Sequence, residues 1–223
     1  MDIRKVLAAT VEKFGSKAGL VFGEDRFSFA ELQTNAVKLA NTLKDCGITK
    51  GDRVAFFLPN SPEYVYCYLA CFYLGAVGVP LDFMLKNDEL SSCLGHSETK
   101  VLIAKNRADI SLESIRETVD SLKTIILCGE AADEPPKDYV LYNAVTAKAK
   151  TTSPEVIIKD SDPALIMYTS GTTGNPKGIL LNYKHLEGSP KAMEHFVDLT
   201  DKDIKLAALP LSHIGGFIYI QNC

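Results

Sequence analysis

Ten consecutive residues, Thr169 to Gly178, hold four hydroxyl side chains, three glycines and one lysine. A strand-like run, Ala164-Leu165-Ile166-Met167-Tyr168, leads into them, and apolar Ile179-Leu180-Leu181 follows at once. The polar residues therefore sit in a turn between two strands. Gly171 and Gly174, lacking a Cβ, let the backbone turn sharply and bring its N–H groups near a ligand. The hydroxyls of Thr169, Ser170, Thr172 and Thr173, with consecutive amides, make a concave donor array suited to phosphate oxygens. Lys177 adds a mobile positive charge that can follow charge building on a leaving pyrophosphate. Phosphate binding is the chemistry these residues suit.

The loop is not a P-loop, which needs Gly-Lys followed by Ser or Thr at the start of a helix. Here Lys177 follows Pro176, Gly178 comes next, and a strand pattern resumes. Asn-Pro and glycine are also ordinary turn formers, so composition leaves a ligand-free hairpin open. A second candidate is Leu209-Pro210-Leu211-Ser212-His213-Ile214-Gly215-Gly216. His213 lies between the strand-like run Leu206 to Leu209 and a glycine pair, a position that exposes a side chain at the carboxyl edge of a sheet. The competing reading is a histidine that caps a turn.

The elements that must position these groups are legible upstream. Ser28 caps a helix and Glu31 closes a capping box. Leu32, Ala36, Leu39, Ala40 and Leu43 share its apolar face, and Gly47 ends it. Val54 to Leu58 is unbroken apolar sequence, as in a strand buried on both faces. Ser61-Pro62 opens a helix with proline at its first position. Val79-Pro80-Leu81, Val101 to Ala104 and Thr124 to Cys128 read as further strands, separated by helices from Asn87 to near Gly95 and through Ile115 and Val119. This alternation predicts an α/β fold with a helix-flanked, mostly parallel sheet. From Gly129 to Glu155, with Pro135-Pro136, surface connections with little regular structure are expected, either at a domain boundary or as an excursion from the same sheet.

Composition narrows the class. The 223 residues are 46% hydrophobic and 23% charged, with a net charge of −4 and no basic stripe, which argues against a nucleic-acid partner. Tyr64 to Leu81 carries no charge, but four tyrosines, Gly75, Gly78 and Pro80 oppose a transmembrane helix. The cysteines Cys46, Cys67, Cys71, Cys93, Cys128 and Cys223 form no C-x-x-C pair and lie mostly in apolar runs, as buried thiols of a reducing compartment do. The amino terminus shows no signal-peptide pattern, so the expected location is cytoplasmic.

Order within the loop goes further than composition. Residues 168–178, Tyr-Thr-Ser-Gly-Thr-Thr-Gly-Asn-Pro-Lys-Gly, match the AMP-binding signature of the adenylate-forming superfamily without a substitution. This superfamily includes acyl-CoA synthetases, luciferase-like enzymes and peptide-synthetase adenylation domains. Phe27 to Leu32, Gly51-Asp52-Arg53-Val54-Ala55, Leu58-Pro59-Asn60-Ser61 and Gly75 to Leu81 resemble further elements of it, so the resemblance runs from about residue 27 to the last. It implies an ATP-dependent carboxylate–CoA ligase of the acyl-CoA synthetase kind. A carboxylate would attack the α-phosphorus of Mg2+-ATP, and CoA would then displace AMP.

By this resemblance Thr169, Ser170, Gly171, Thr172, Thr173, Gly174 and Lys177 bind the nucleotide, and His213 orients the carboxylate. Peptide-synthetase domains carry an aspartate near this histidine to hold the substrate amine. With Ser212-His213 and no carboxylate nearby in sequence, a fatty or aryl acid without an α-amine is expected. Tyr183 stands where the family often has histidine, and no function is carried onto His185, which is expected on the surface of the next helical turn. His96 and His195 are expected to be structural or exposed.

The resemblance also implies that residues 51–204 form one α/β subdomain, with 1–50 and 205–223 belonging to a second, incomplete one. The family's magnesium-side Thr-Glu pair, ribose-binding aspartate, hinge and mobile lysine have no counterpart here. The chain is therefore expected to be an amino-terminal portion, inactive alone and prone to self-association through uncovered apolar surface. A non-CoA acceptor, or a non-catalytic nucleotide-binding module, remains the alternative.

Overall fold

A computed structural model describes residues 2–129, 139–169, 177–188 and 200–221. Helix α1 (Ile3–Phe14) leads into a β-hairpin of β1 (Ala18–Phe22) and β2 (Asp25–Ser28), followed by α2 (Phe29–Asp45). Alternation then begins: β3 (Arg53–Phe57), α3 (Pro62–Leu74), β4 (Val77–Leu81), α4 (Asn87–His96), β5 (Val101–Lys105), α5 (Leu112–Thr118) and β6 (Thr124–Cys128). Next come β7 (Tyr139–Leu141), α6 (Tyr142–Lys148), β8 (Pro163–Thr169), β9 (Lys177–Asn182) and, last, α7 (Ile214–Gln221). The larger sheet runs β7-β6-β5-β3-β4-β8-β9, with every pairing parallel except β8 with β9.

The central strands are apolar throughout because both faces are covered. In β3, Val54 and Phe56 enter one core, shared with α2 and α3, while Ala55 and Phe57 enter the other, shared with α4 and α5. The same alternation sorts Val101 and Ile103 from Leu102 and Ala104 in β5. This is the two-residue period of a strand expressed between two helix layers. Ser28 accepts from the Glu31 N–H while the Glu31 carboxylate accepts from the Ser28 N–H, so the capping box is formed. The uncharged Tyr64–Leu81 stretch is a buried helix, a left-handed turn at Gly75 and a central strand. No described helix is long and apolar enough to cross a membrane.

Two expectations need correction. The Gly129–Glu155 region contains a strand and a helix: β7 lies parallel on β6, with Ile126 opposite Val140, and α6 starts with the buried Tyr142. It is thus an excursion from the same sheet. Elements of three and seven residues are too short to show a period, which is why the segment reads as loop. Pro135-Pro136 lies outside the described residues. The apolar run Leu206–Leu209 is not a strand, for among the described residues it pairs with none and Leu206 is 83% exposed. A strand needs a partner edge, and apolar composition alone supplies none.

Candidate active site at the carboxyl edge of the sheet

The hairpin β8–β9 carries the two ends of the glycine- and threonine-rich loop. β8 is seated by Ala164, Leu165 and Met167, all buried, and lies parallel to β4 through the pairing of Gly78 with Leu165. In the antiparallel register of β8 and β9, Tyr168 faces Gly178 and Thr169 faces Lys177. Both Thr169 and Lys177 are exposed, with seven residues between them in sequence. Ser170, Gly171, Thr172, Thr173 and Gly174 lie outside the described residues. The base of the hairpin is therefore what the structure defines.

Tyr168 anchors that base. Its hydroxyl lies 3.0 Å from the Cys93 carbonyl, to which it donates, and 2.7 Å from His96 Nδ1. Burial pushes this phenol up to about 12, so it stays protonated. A phenol has one proton, and the carbonyl can only accept, so His96 Nδ1–H is the donor to the phenol oxygen. His96, exposed as its sequence suggested, thus ties the end of α4 to the foot of the loop. At the far end of the hairpin, Lys50 bridges Asp162, and His185 accepts the Asn182 N–H through Nδ1 from an exposed 3-10 turn. Tyr183 is fully buried against Phe72.

His213 is brought to the same edge by a different route. Leu209–His213 has no regular structure of its own, so side chains from the loop after β3 and from α3 hold it. The Asn60 amide donates to the Leu209 carbonyl at 3.0 Å and accepts the Leu211 N–H at 2.8 Å. Tyr68 donates to the Leu211 carbonyl at 2.7 Å, and its ring packs 4.7 Å from that of Phe217 in α7. Gly216 lies so close to the Pro210 carbonyl that no Cβ would fit, which lets α7 start tightly against the turn. His213 sits just before α7, and its carbonyl accepts the Phe217 N–H.

The ring of His213 faces a carboxylate. Its Nε2 lies 3.2 Å from Asp82 Oδ2, and Asp82 Oδ1 accepts the Met84 N–H at 2.9 Å. Asp82 follows the last residue of β4 directly. The local sequence offers this histidine no carboxylate, and the fold supplies one from elsewhere: the two are 131 residues apart in sequence and joined in space. Continuing the Gly78–Leu165 pairing four residues on brings Asp82 level with Thr169. Neighbouring strands lie about 4.8 Å apart, so the Asp82–His213 pair and the mouth of the hairpin share one edge. In parallel sheets that edge is where ligands bind.

The AMP-binding enzyme family matches residues 7–223. The chain belongs to this family. Its relatives are CoA ligases. It is 28% identical to 4-coumarate–CoA ligase 1 of Petroselinum crispum over 96% of its own length and 39% of that protein. It is 30% identical to a crotonobetaine/carnitine–CoA ligase of Salmonella paratyphi A over 96% of its length and 42% of that protein. The solved anthranilate CoA ligase AuaEII, in complex with anthranoyl-AMP, superposes on all of this chain with a TM-score of 0.88 at 25% identity, using 43% of that structure. The chain thus spans about two fifths of the length of these AMP-binding enzymes.

Sequence reasoning missed Asp82, Asn60 and His96 as parts of this edge. Asp82 had a local signal, since it is the first charged residue after an uncharged run ending at a strand's carboxyl end. Asn60 lay in the Leu58–Ser61 stretch that resembles the family but with no role attached, and His96 had no signal; the partners of both are distant in sequence.

Proposed function

We propose that this chain carries the phosphate-binding and acid-positioning portion of an ATP-dependent carboxylate–CoA ligase. The observation that carries the reading is the pairing of Thr169 with Lys177 across a hairpin whose mouth lies level with the Asp82–His213 pair. In this reading the amides and hydroxyls of Thr169, Ser170, Gly171, Thr172, Thr173 and Gly174 hold the β- and γ-phosphates of ATP. Lys177 meets the charge that grows on pyrophosphate as it leaves. His213 orients the carboxylate toward the α-phosphorus, a contribution of geometry rather than of proton transfer. An acyl-adenylate results, and the CoA thiol displaces AMP from it.

Magnesium belongs to this chemistry as the companion of ATP, and among the described residues no cluster of three or more His, Cys, Asp or Glu side chains is placed to hold a metal. The reading therefore assigns it no ligand here. The substrate is a fatty or aryl acid, the classes that the coumarate, anthranilate and long-chain-fatty-acid ligases it resembles are named for. Residues 1–50 and 205–223 belong with a second subdomain, and 51–204 form the first. Free thiols at Cys46, Cys67, Cys71, Cys93 and Cys128 suit a cytoplasmic location.

Calorimetric titration of the chain with ATP tests the reading. Binding is expected, and Lys177→Ala should weaken it about tenfold, the effect of losing roughly one charge-assisted contact. Equal affinities in both proteins, or no binding in either, would remove the phosphate site.

A further inference from the structure

The Asp82–His213 pair has a property that the proposed function does not use. A neutral imidazole carries one N–H, and which nitrogen bears it depends on what the other groups around the ring accept or donate. Asp82 has both oxygens committed: Oδ1 accepts the Met84 N–H, and Oδ2 lies 3.2 Å from His213 Nε2. An ionised carboxylate only accepts, so the proton of a neutral His213 must sit on Nε2. The backbone of His213 is fixed independently, through the Asn60 and Tyr68 contacts to Leu209 and Leu211 and the start of α7. Ring position and proton position are thus set by separate groups.

We propose that Asp82 is the positioning residue of this site: from the carboxyl end of β4 it holds His213 by Nε2–H and so fixes the orientation and the tautomer of the ring, with Nδ1 left as an acceptor. The inference rests on the acid-positioning role proposed for His213, but its central claim, the proton's place, is measurable without any ligand. It makes a distinction that size alone does not. An asparagine at position 82 has one carbonyl oxygen and one NH2. With the carbonyl retained by the Met84 N–H, the NH2 faces Nε2 and can only donate. The ring must then accept at Nε2 and carry its proton on Nδ1. An isosteric change is therefore expected to invert the tautomer, whereas removal of the side chain should release it.

Long-range 15N–1H correlation spectra of the histidine-labelled chain, recorded above the histidine titration range, read this directly. The four histidines are assigned by single substitutions. His213 is expected as the Nε2–H form in the wild type, as Nδ1–H in Asp82→Asn, and as a mixture in Asp82→Ala. Wild-type His213 in the Nδ1–H form, or the same pattern in all three proteins, overturns the proposal. Should the tautomers appear as expected while the wild type binds neither AMP nor a non-hydrolysable benzoyl-sulfamoyl adenosine, the acid-positioning reading of His213 fails and the positioning by Asp82 stands.

Discussion

The middle of the sheet and its β8–β9 side are built on opposite principles. Around β3, the side chains of Val54 through Phe57 are wholly buried, and Phe56 packs edge-on against both Tyr64 and Tyr68 at about 5 Å. At the other side, Ile179 and Leu180 of β9 are about half exposed. β9 is the last strand of the sheet, paired only with β8 among the described residues. Stability is concentrated where no chemistry occurs. The groups that could do chemistry sit at the boundary, where the hairpin and the 209–213 segment depend on anchors such as Tyr168, Asn60 and Asp82. A rigid interior with a site on its rim is the usual arrangement for such sheets.

Breaking the interior should have the largest consequence. Phe56→Ala removes a ring held by two aromatic neighbours and both helices behind them, and about 3–5 kcal/mol of stability should be lost. A urea melt checks this, and a midpoint within error of the wild type would show that the interior is not the stable half.

A smaller effect is expected at the amino end of β3. Asp52 is mostly buried, which by itself would raise its carboxyl, yet the Lys100 ammonium at 2.6 Å and the Thr49 N–H and hydroxyl hold it below the usual range. A depressed folded-state value means that the stabilisation is fully present above the unfolded value of about 3.9 and vanishes as pH falls through the folded one. Asp52→Asn should therefore cost about 1–2 kcal/mol at pH 7, and the gap between the two proteins should close as the pH falls through the lowered folded-state value. A gap independent of pH between 7 and 2 would mean that the charge is not what stabilises this corner.

The smallest stability change is expected on the hairpin. Leu180→Ser should alter the unfolding free energy by less than about 0.5 kcal/mol, because the side chain is half exposed. Its effect should appear in association instead. An apolar edge strand invites pairing with a second chain, so the wild type is expected to self-associate in light scattering at high concentration and the variant less so. A monodisperse wild-type monomer would mean that this edge is not adhesive.

How much of this was legible without coordinates follows from how local each cause is. The capping box at Ser28 and Glu31, the proline opening α3 and the unbroken apolar run of β3 are short-range signals, and each element forms where its residues place it. The sequence from Tyr168 to Gly178 carries the family's signature through order as well as composition, and the strands that flank it pair as the pattern requires. The brevity of β7 and α6 concealed them, and Leu206–Leu209 imitated a strand because apolar content was the only cue.

What sequence determined alone was the alternation of strands and helices, the family, and which residues are chemically equipped. Only the tertiary structure decided that Asp82 meets His213, that Asn60 holds the chain before it, and that His96 secures Tyr168. The reason is physical. Secondary structure follows from periodicity over a few residues, whereas a hydrogen bond between groups 131 or 149 positions apart depends on which strands become neighbours and on where their carboxyl ends align.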